Sequence, residues 1–443
     1  MSKIYKREEY LKKIRGFYND DMIKVISGIR RCGKSFFLKS IMQELIEKGV
    51  KEKDIIYIQL DKKGYKHIKT PEQLEKIIDE QIKDNDFKYL FVDEIQNVKN
   101  FEPLINSYRE EENMSIFITG SNSYLLSGEL ITKLTGRYIE IEMLPLSFYE
   151  YVDMKKFLKK EVNNNIYLEF EEYIRSGGFP KSLYYEKIEE KTKYTSSVIN
   201  QIFEKDIKTS NRINDKDLFE QVEKFVVNNF GKVISVQSIC NYFKGELKIN
   251  TDRRTIKRYL DILQKAKILY PCELFDIKSK SVMKGDKKYY LADLSIYYAL
   301  NTDARINYGP VLENVLHNYL LSKDYSLSVG KIGKFECDFI ARKGIEDYFY
   351  IQVSKSIDDE KTEEREYRPF YKIEDMYPRF LFVLDIVLQK NVNGVRNVNI
   401  VDFIYNNLEL VSDQIFMWCT LHHYTAVRDI IERSLGSDRF RII

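Results

Sequence analysis

The sequence predicts an α/β fold whose first unit is built on a parallel sheet, and three observations carry that prediction. Short apolar runs alternate with helical stretches through residues 1–145. One run ends in a glycine-bounded turn that opens a helix, and another ends in two adjacent acids. Runs that are apolar on both faces suit a sheet covered by helices on each side.

In order, residues 22–27 read as a buried strand, 34–48 as a helix, 54–60 as a strand and 71–83 as a helix. Strand 89–93, helix 101–111 and strands 115–120 and 139–143 complete the first unit. From 147 to about 212 the strand signal fades. Phe148, Tyr149, Tyr151 and Val152 open an aromatic-rich helical stretch, which the turn Gly177-Gly178-Phe179-Pro180 interrupts. A third unit follows, with helices at 218–229, 235–243 and 251–267, the last capped through Asn250-Thr251-Asp252. Strand-like pieces at 268–275 and 287–291 flank a Lys-Ser-Lys-Ser turn. Three helices and a two-strand wing describe a winged helix. A fourth, α/β unit has helices at 313–323 and 365–371 and strands at 337–341, 348–353 and 379–384. The expected divisions are 1–145, 146–214, 215–303, 304–408 and an atypical tail, 409–443.

The 443 residues are ample for several cores. Lys plus Arg number 71 and Asp plus Glu 68, a net charge of +3. That balance excludes a uniformly basic coat, so a nucleic-acid site must be a local patch. No apolar run approaches the roughly 18 residues of a membrane span. The N-terminus turns polar at once and lacks a signal-peptide core. Cysteines 32, 240, 272, 337 and 419 are scattered, and histidines 67, 317, 422 and 423 do not pair with them at ligand spacing. These features predict a cytoplasmic chain with neither disulfides nor zinc. No lysine follows Lys390, and Trp418, His422 and His423 crowd together. That tail reads either as a docking helix or as a non-native or frame-shifted end.

The residues Gly28-Ile29-Arg30-Arg31-Cys32-Gly33-Lys34-Ser35 fit the phosphate-loop pattern in its required context, after a strand and before a helix. Glycines let backbone N–H groups wrap a phosphate, and the helix N-terminus adds positive potential. Lys34 is expected on the β- and γ-phosphates and Ser35 on Mg²⁺. In Tyr89-Leu90-Phe91-Val92-Asp93-Glu94, Asp93 is expected in the Mg²⁺ shell and Glu94 on the attacking water. Ser121 and Asn122, after the next strand, are candidates for the γ-phosphate or that water, although turn chemistry alone also explains them. Arg137 is a candidate arginine finger acting on a neighbouring subunit, or a surface ion-pair residue. Cys32 sits inside the loop and reads as a packing residue. The implied ligands are ATP and Mg²⁺.

These motifs, with Leu134–Arg137, Pro145-Leu146-Ser147-Phe148 and Gly177–Pro180 in this order, resemble the prokaryotic AAA-type ATPases. More narrowly they resemble a bacterial and archaeal group whose ATPase carries a C-terminal domain of unknown function. The resemblance covers about residues 5 to 405. It implies an AAA+ P-loop core with a helical lid, a winged-helix middle and a C-terminal fold similar to restriction-endonuclease-like nucleases.

Such nucleases hold Mg²⁺ with a helix Glu, a strand Asp and an E-x-K pair. The matching positions here are Glu313, Asp338, Gln352 and Ser354. Gln352 replaces the carboxylate, and a neutral amide is the poorer ligand for a hard cation. Lys355 comes one residue late and falls on the opposite face of a strand. The expectation is an inactive fold used for binding. Between residues 244 and 267, eight Lys/Arg face three Asp/Glu, a local charge of +5. Ile256, Leu260 and Leu263 share one helix face, and Arg254, Arg258 and Lys265 lie opposite. That pattern suits a recognition helix on double-stranded DNA, and equally a solvated face between domains. Three functions are open: an AAA+ ATPase, in homo-oligomers if Arg137 acts in trans; a nucleotide-gated DNA-binding switch; and an ATP-dependent nuclease.

Overall fold

The structure is a computed structural model that describes residues 4–120, 134–208, 213–301, 305–344, 347–357, 360–385 and 390–411. Helix α1 (Glu8–Ile14) leads into β1 (Ile23–Gly28), α2 (Lys34–Glu47), β2 (Ile55–Gln59) and α3 (Pro71–Asp79). Then come β3 (Lys88–Asp93), α4 (Glu102–Glu110), β4 (Met114–Thr119) and β5 (Tyr138–Met143). The five strands form one parallel sheet in the order β2-β3-β4-β1-β5. Alternation along the strands divides their side chains between two cores. Ile23, Val25, Leu90 and Val92 pack with Leu74, Ile78, Leu104 and Ile105 of α3 and α4. Ile26, Phe91 and Phe117 face the other way, onto Phe37, Leu38 and Ile41 of α2. Crossovers put the carboxyl ends of all five strands on one rim, where open α/β sheets bind ligands. Because β4 lies between β1 and β3, the phosphate-loop strand and the acid-bearing strand are not neighbours.

Helices α5 (Phe148–Phe157), α6 (Ile166–Ser176) and α7 (Ile188–Gln201) follow, and α7 runs on into a π-helical turn, Ile202–Ile207. Ser147 caps α5 in a box with Glu150. The Gly177-Gly178 turn is forced by close approach. Gly177 has φ +70°, and a Cβ there would stand 1.9 Å from Asp293 Oδ1. A Cβ at Gly178 would stand 2.2 Å from the Leu146 carbonyl oxygen.

Next come α8 (Lys216–Asn228), β6 (Val233–Ile234), α9 (Val236–Gly245), α10 (Arg253–Lys265), β7 (Leu269–Asp276), β8 (Ser281–Leu291) and α11 (Ser295–Leu300). Asp252 caps α10 by accepting from the Thr255 N–H. The C-terminal portion has α12 (Tyr308–Ser322), β9 (Ser326–Ile332), β10 (Phe335–Lys343), β11 (Asp347–Ser354) and α13 (Glu360–Tyr367). Strands β12 (Arg379–Val383), β13 (Asn391–Val392) and β14 (Val395–Asn399) and helix α14 (Ile400–Tyr405) close it. The expected wing is not isolated. Parallel pairing of β7 with β9 joins β6, β7 and β8 to the later strands in one nine-stranded sheet, β13-β14-β12-β11-β10-β9-β7-β8-β6. That sheet runs across the expected division at 303/304.

Candidate functional site

The phosphate loop springs from β1 with its glycines in conformations other residues resist. Gly28 (φ +131°) passes so close to β5 that a Cβ would stand 2.1 Å from the Met143 carbonyl oxygen. Gly33 (φ +111°) sits left-handed at the N-cap of α2. Lys34 is buried and folds back over the loop, its Nζ donating to the Gly28 carbonyl at 2.7 Å and that of Ile29 at 3.3 Å. Cys32 is fully buried, and burial pushes its thiol pKa up, as suits a packing residue.

Asp93 ends β3 nearly buried. The Thr119 hydroxyl, on the intervening strand β4, donates to its Oδ1 at 2.5 Å and accepts from the Glu94 N–H at 3.1 Å. Tyr57 donates to Oδ2 at 3.4 Å, and Ser35 and Gln59 also hydrogen-bond this carboxylate. Burial drives the Asp93 pKa up, and the Thr119 and Ser35 hydroxyls pull against it. A buried carboxylate beside a serine hydroxyl at a helix N-terminus is a hard-oxygen pair fitted to a small divalent cation. Glu94 takes the left-handed region (φ +60°) and accepts from the Gln96 amide at 2.5 Å. A non-glycine residue there carries strain, a feature concentrated at functional sites.

Two arginines tie the loop to later chain. Arg30 donates to both oxygens of Asp206, at 2.8 and 2.6 Å, and Arg31 to Gln201 Oε1, at 3.0 Å. From behind, buried Arg7 pairs with Glu150 through two bonds and donates to the Leu144 carbonyl at 2.6 Å and that of Cys32 at 3.4 Å. Arg7, Arg30, Arg31 and Asp206 border, with Lys34, Ser35 and Glu94, a cleft of about 1280 Å³. Its lining combines Arg30, Lys34, Ser35 and Glu94 with the rings of Tyr5, Phe36, Phe157 and Tyr184. The charged groups can take phosphates and the rings a flat aromatic base.

Of the residues expected at this site, Gly28 through Ser35, Asp93 and Glu94 converge, while Ser121 and Asn122 lie outside the described residues. Arg137 is exposed and sits just before β5, beside Ile23 at the opposite end of β1 from the loop. Five residues of strand separate the two levels, about 17 Å at roughly 3.3 Å per residue. The fold keeps it out of its own cleft.

A second cluster forms where β8 meets α12 and β10. Glu313 and Asp338 do come together, but around the ammonium of Lys288. That group stands 2.9 Å from Glu313, 2.8 Å from Glu336 and 3.5 Å from Asp338. Tyr290 donates to Glu313 at 2.8 Å, and Asp338 accepts from the Val353 N–H at 2.9 Å. Gln352 accepts from the Asp338 N–H and donates to Glu366 at 3.0 Å. Ser354 donates to the Ser356 carbonyl, and Lys355 is exposed over the Tyr308 ring. Burial opposes the charge on Lys288, but Asp338, Glu313 and Glu336 outweigh it and hold the ammonium well above its usual pKa. Burial, then the Glu313 charge, drives the Asp338 carboxyl up.

On α10, Ile256, Leu260 and Leu263 are buried, and Arg254, Arg258 and Lys265 are exposed, as the periodicity predicts. Lys267, counted in the same basic stretch, instead pairs with Glu142 of β5 at 2.7 Å, next to the Tyr270 hydroxyl.

Sequence reasoning missed Arg7, Asp206, Lys288 and Glu336. The partners that draw them into these clusters lie far along the chain, although Glu336 also pairs with the nearby Lys331. Only Glu150 left a trace, as the acid of the capping box with Ser147.

Residues 20–152 match the model of an AAA domain, and 167–306 that of a domain of unknown function. An uncharacterized protein of Haemophilus influenzae is 33% identical over 400 residues, covering 90% of this chain and 98% of its own. An uncharacterized protein of Methanocaldococcus jannaschii is 30% identical over 361 residues, covering 79% and 78%. Among solved structures, a Walker-type ATPase of Pyrococcus abyssi is 17% identical with a TM-score of 0.48, covering 67% of this chain and 96% of that one. Among the described residues no helix is long and apolar enough to cross a membrane. The chain belongs to the family of the Haemophilus and Methanocaldococcus proteins, and its residues 20–152 form an AAA domain.

Proposed function

We propose that this chain is a cytoplasmic, Mg²⁺-dependent ATPase of the AAA+ type that couples nucleotide state to a winged-helix unit and a nuclease-like, non-cleaving unit. The observation that carries the reading is the convergence of Lys34, Ser35 and Glu94 on one cleft, with Asp93 hydrogen-bonded to Ser35 beside it, behind a Gly28 that leaves no room for a Cβ. On binding, Lys34 leaves the loop carbonyls for the β- and γ-phosphates, while loop N–H groups and the α2 N-terminus take the remaining charge. Ser35 and Asp93 would hold Mg²⁺, which supplies charge neutralisation between the phosphates. Glu94 orients the attacking water and accepts its proton once Gln96 releases it. Arg137, remote from its own cleft, would serve the cleft of a neighbouring copy in a homo-oligomer.

The test is ATP turnover by wild type, Glu94→Gln and Lys34→Ala, with and without duplex DNA. Turnover lost in both variants, with nucleotide binding kept only in Glu94→Gln, supports the ATPase. Negligible wild-type turnover beside ATP-dependent DNA binding would replace it with a nucleotide-gated switch. The exposed Arg254, Arg258 and Lys265 favour that second reading. Lys288 in the carboxylate cluster argues against a nuclease, because an ammonium stands among the acids a divalent cation would need. Plasmid incubated with Mg²⁺ or Mn²⁺ should stay intact.

A further inference from the structure

The cleft contains an acid that a phosphate site does not need. Asp206 comes from the π-helical turn at the end of α7, some 170 residues beyond the loop, yet it borders the same space as Lys34 and Ser35. Its partner Arg30 is held through two parallel hydrogen bonds, with the side chains 16% and 8% exposed. A guanidinium's fork matches a carboxylate and a phosphate equally well, so the two compete for it. A triphosphate entering the loop would approach both Arg30, which it attracts, and Asp206, which it repels.

The turn that carries Asp206 is built to register such a change. Within it the backbone bonds are of the wide π type, as in the 2.9 Å bond from the Lys208 N–H to the Phe203 carbonyl. Such turns are rare and concentrate at functional sites. Phe203 of this turn packs on Phe219 of α8, ring centroids 5.7 Å apart. Phe219 in turn meets Tyr259 of the basic helix α10 at 5.2 Å. Tyr259 also donates to the carbonyl of Asp215, the N-cap residue of α8. These contacts connect the turn to the helix that presents Arg254 and Arg258. Spatial contiguity alone does not establish coupling; what makes this a switch is that Arg30 has two mutually exclusive anionic partners.

We propose that Asp206 is the positioning residue through which the middle of the chain reads the nucleotide: it holds Arg30 while the loop is free of phosphate and gives it up to the triphosphate. Phosphate binding and release of the 202–207 turn are then one event. This rests on the ATP reading above, and the test separates the two. ATP affinity is measured by equilibrium titration for wild type, Asp206→Asn and Arg30→Gln of the full chain. Hydrogen exchange of residues 202–208 is followed with and without ATP.

Asp206→Asn removes the competing charge and should bind ATP about tenfold tighter, whereas Arg30→Gln removes the shared cation and should bind about tenfold weaker. Both variants should show fast exchange in the turn without nucleotide, a state wild type reaches only with ATP. General damage to the fold would move both affinities the same way, so opposite signs mark the switch. Wild type that binds ATP with no change in exchange at 202–208 overturns this inference and leaves the ATP site standing. So does Asp206→Asn with weakened binding. Wild type that binds no ATP overturns both.

Discussion

Replacing Lys288 by methionine removes one ammonium and leaves the length of the side chain. In the structure that ammonium is the shared counter-ion of Glu313, Glu336 and Asp338, with its own side chain 5% exposed. Breaking a buried ion pair from one side costs roughly 3–5 kcal/mol, because the remaining charge is stranded. In a unit of about 150–250 residues, that corresponds to a fall on the order of 10 °C in unfolding midpoint. The pH dependence gives the sign. Without Lys288 the clustered carboxylates raise one another's pKa above the value of about 4 in the unfolded chain. The folded variant then binds more protons than its unfolded chain, so its stability rises as pH falls, and the loss should be larger at pH 8 than at pH 5. Thermal unfolding of wild type and Lys288→Met at both pH values measures this. A triple variant, Lys288→Met with Glu313→Gln and Asp338→Asn, should recover much of the midpoint, since replacing a buried ionic set is far cheaper than halving it. A midpoint within about 2 °C of wild type, or a loss independent of pH, would refute the reasoning.

Glycine 178 should tolerate no side chain. Gly178→Ala places a Cβ against the Leu146 carbonyl oxygen and should lower stability by about 1–3 kcal/mol or more, read from chemical unfolding. Glu223 is buried in α8, and burial, then the nearby charge of Glu220, pushes its carboxyl up to about 7. The folded state therefore holds that proton where the unfolded chain, with a pKa near 4.3, does not. Stability should fall by about 3 kcal/mol as pH rises from 4.5 to 7, and Glu223→Gln should flatten that slope. Arg7→Met strands Glu150 and frees the Cys32 carbonyl, so unfolding should come roughly 3–5 kcal/mol earlier and ATP binding should weaken in parallel. If α10 meets duplex DNA, Arg254→Ala with Arg258→Ala should weaken binding for every sequence and lower the salt slope by about 2.

What could be read from the sequence was local. The loop from Gly28 to Ser35 and the pair Asp93-Glu94 are each written in consecutive residues, and apolar runs mark the strands that carry them. The buried face of α10 was equally legible, because Ile256, Leu260 and Leu263 repeat at helical spacing. What was not legible depends on pairs distant in sequence. Nothing in Lys-Lys-Tyr-Tyr announces that Lys288 will enter an acidic cluster built from α12 and β10. Lys267 looked like part of a basic surface until its pairing with Glu142 turned it inward. The joined sheet was missed for the same reason: β7 and β9 pair across some fifty residues, and parallel pairing leaves no hairpin signature between them.

The contacts that hold the later chain on the AAA domain differ in where they fall. Glu142 of the AAA domain with Lys267 and Tyr270, and Glu9 and Lys13 of the preceding α1 with Lys323 and Asp324, all lie away from the phosphate loop. None of them meets a residue expected to touch nucleotide. Arg30 with Asp206 and Arg31 with Gln201 are of the other kind, since each arginine belongs to the loop itself. In the proposed switch the first group keeps its partners, while the second is the set for which phosphates would compete. In the proposed switch, therefore, the nucleotide acts on the later chain at the end of α7. The docking contacts supply the fixed frame against which that turn can move.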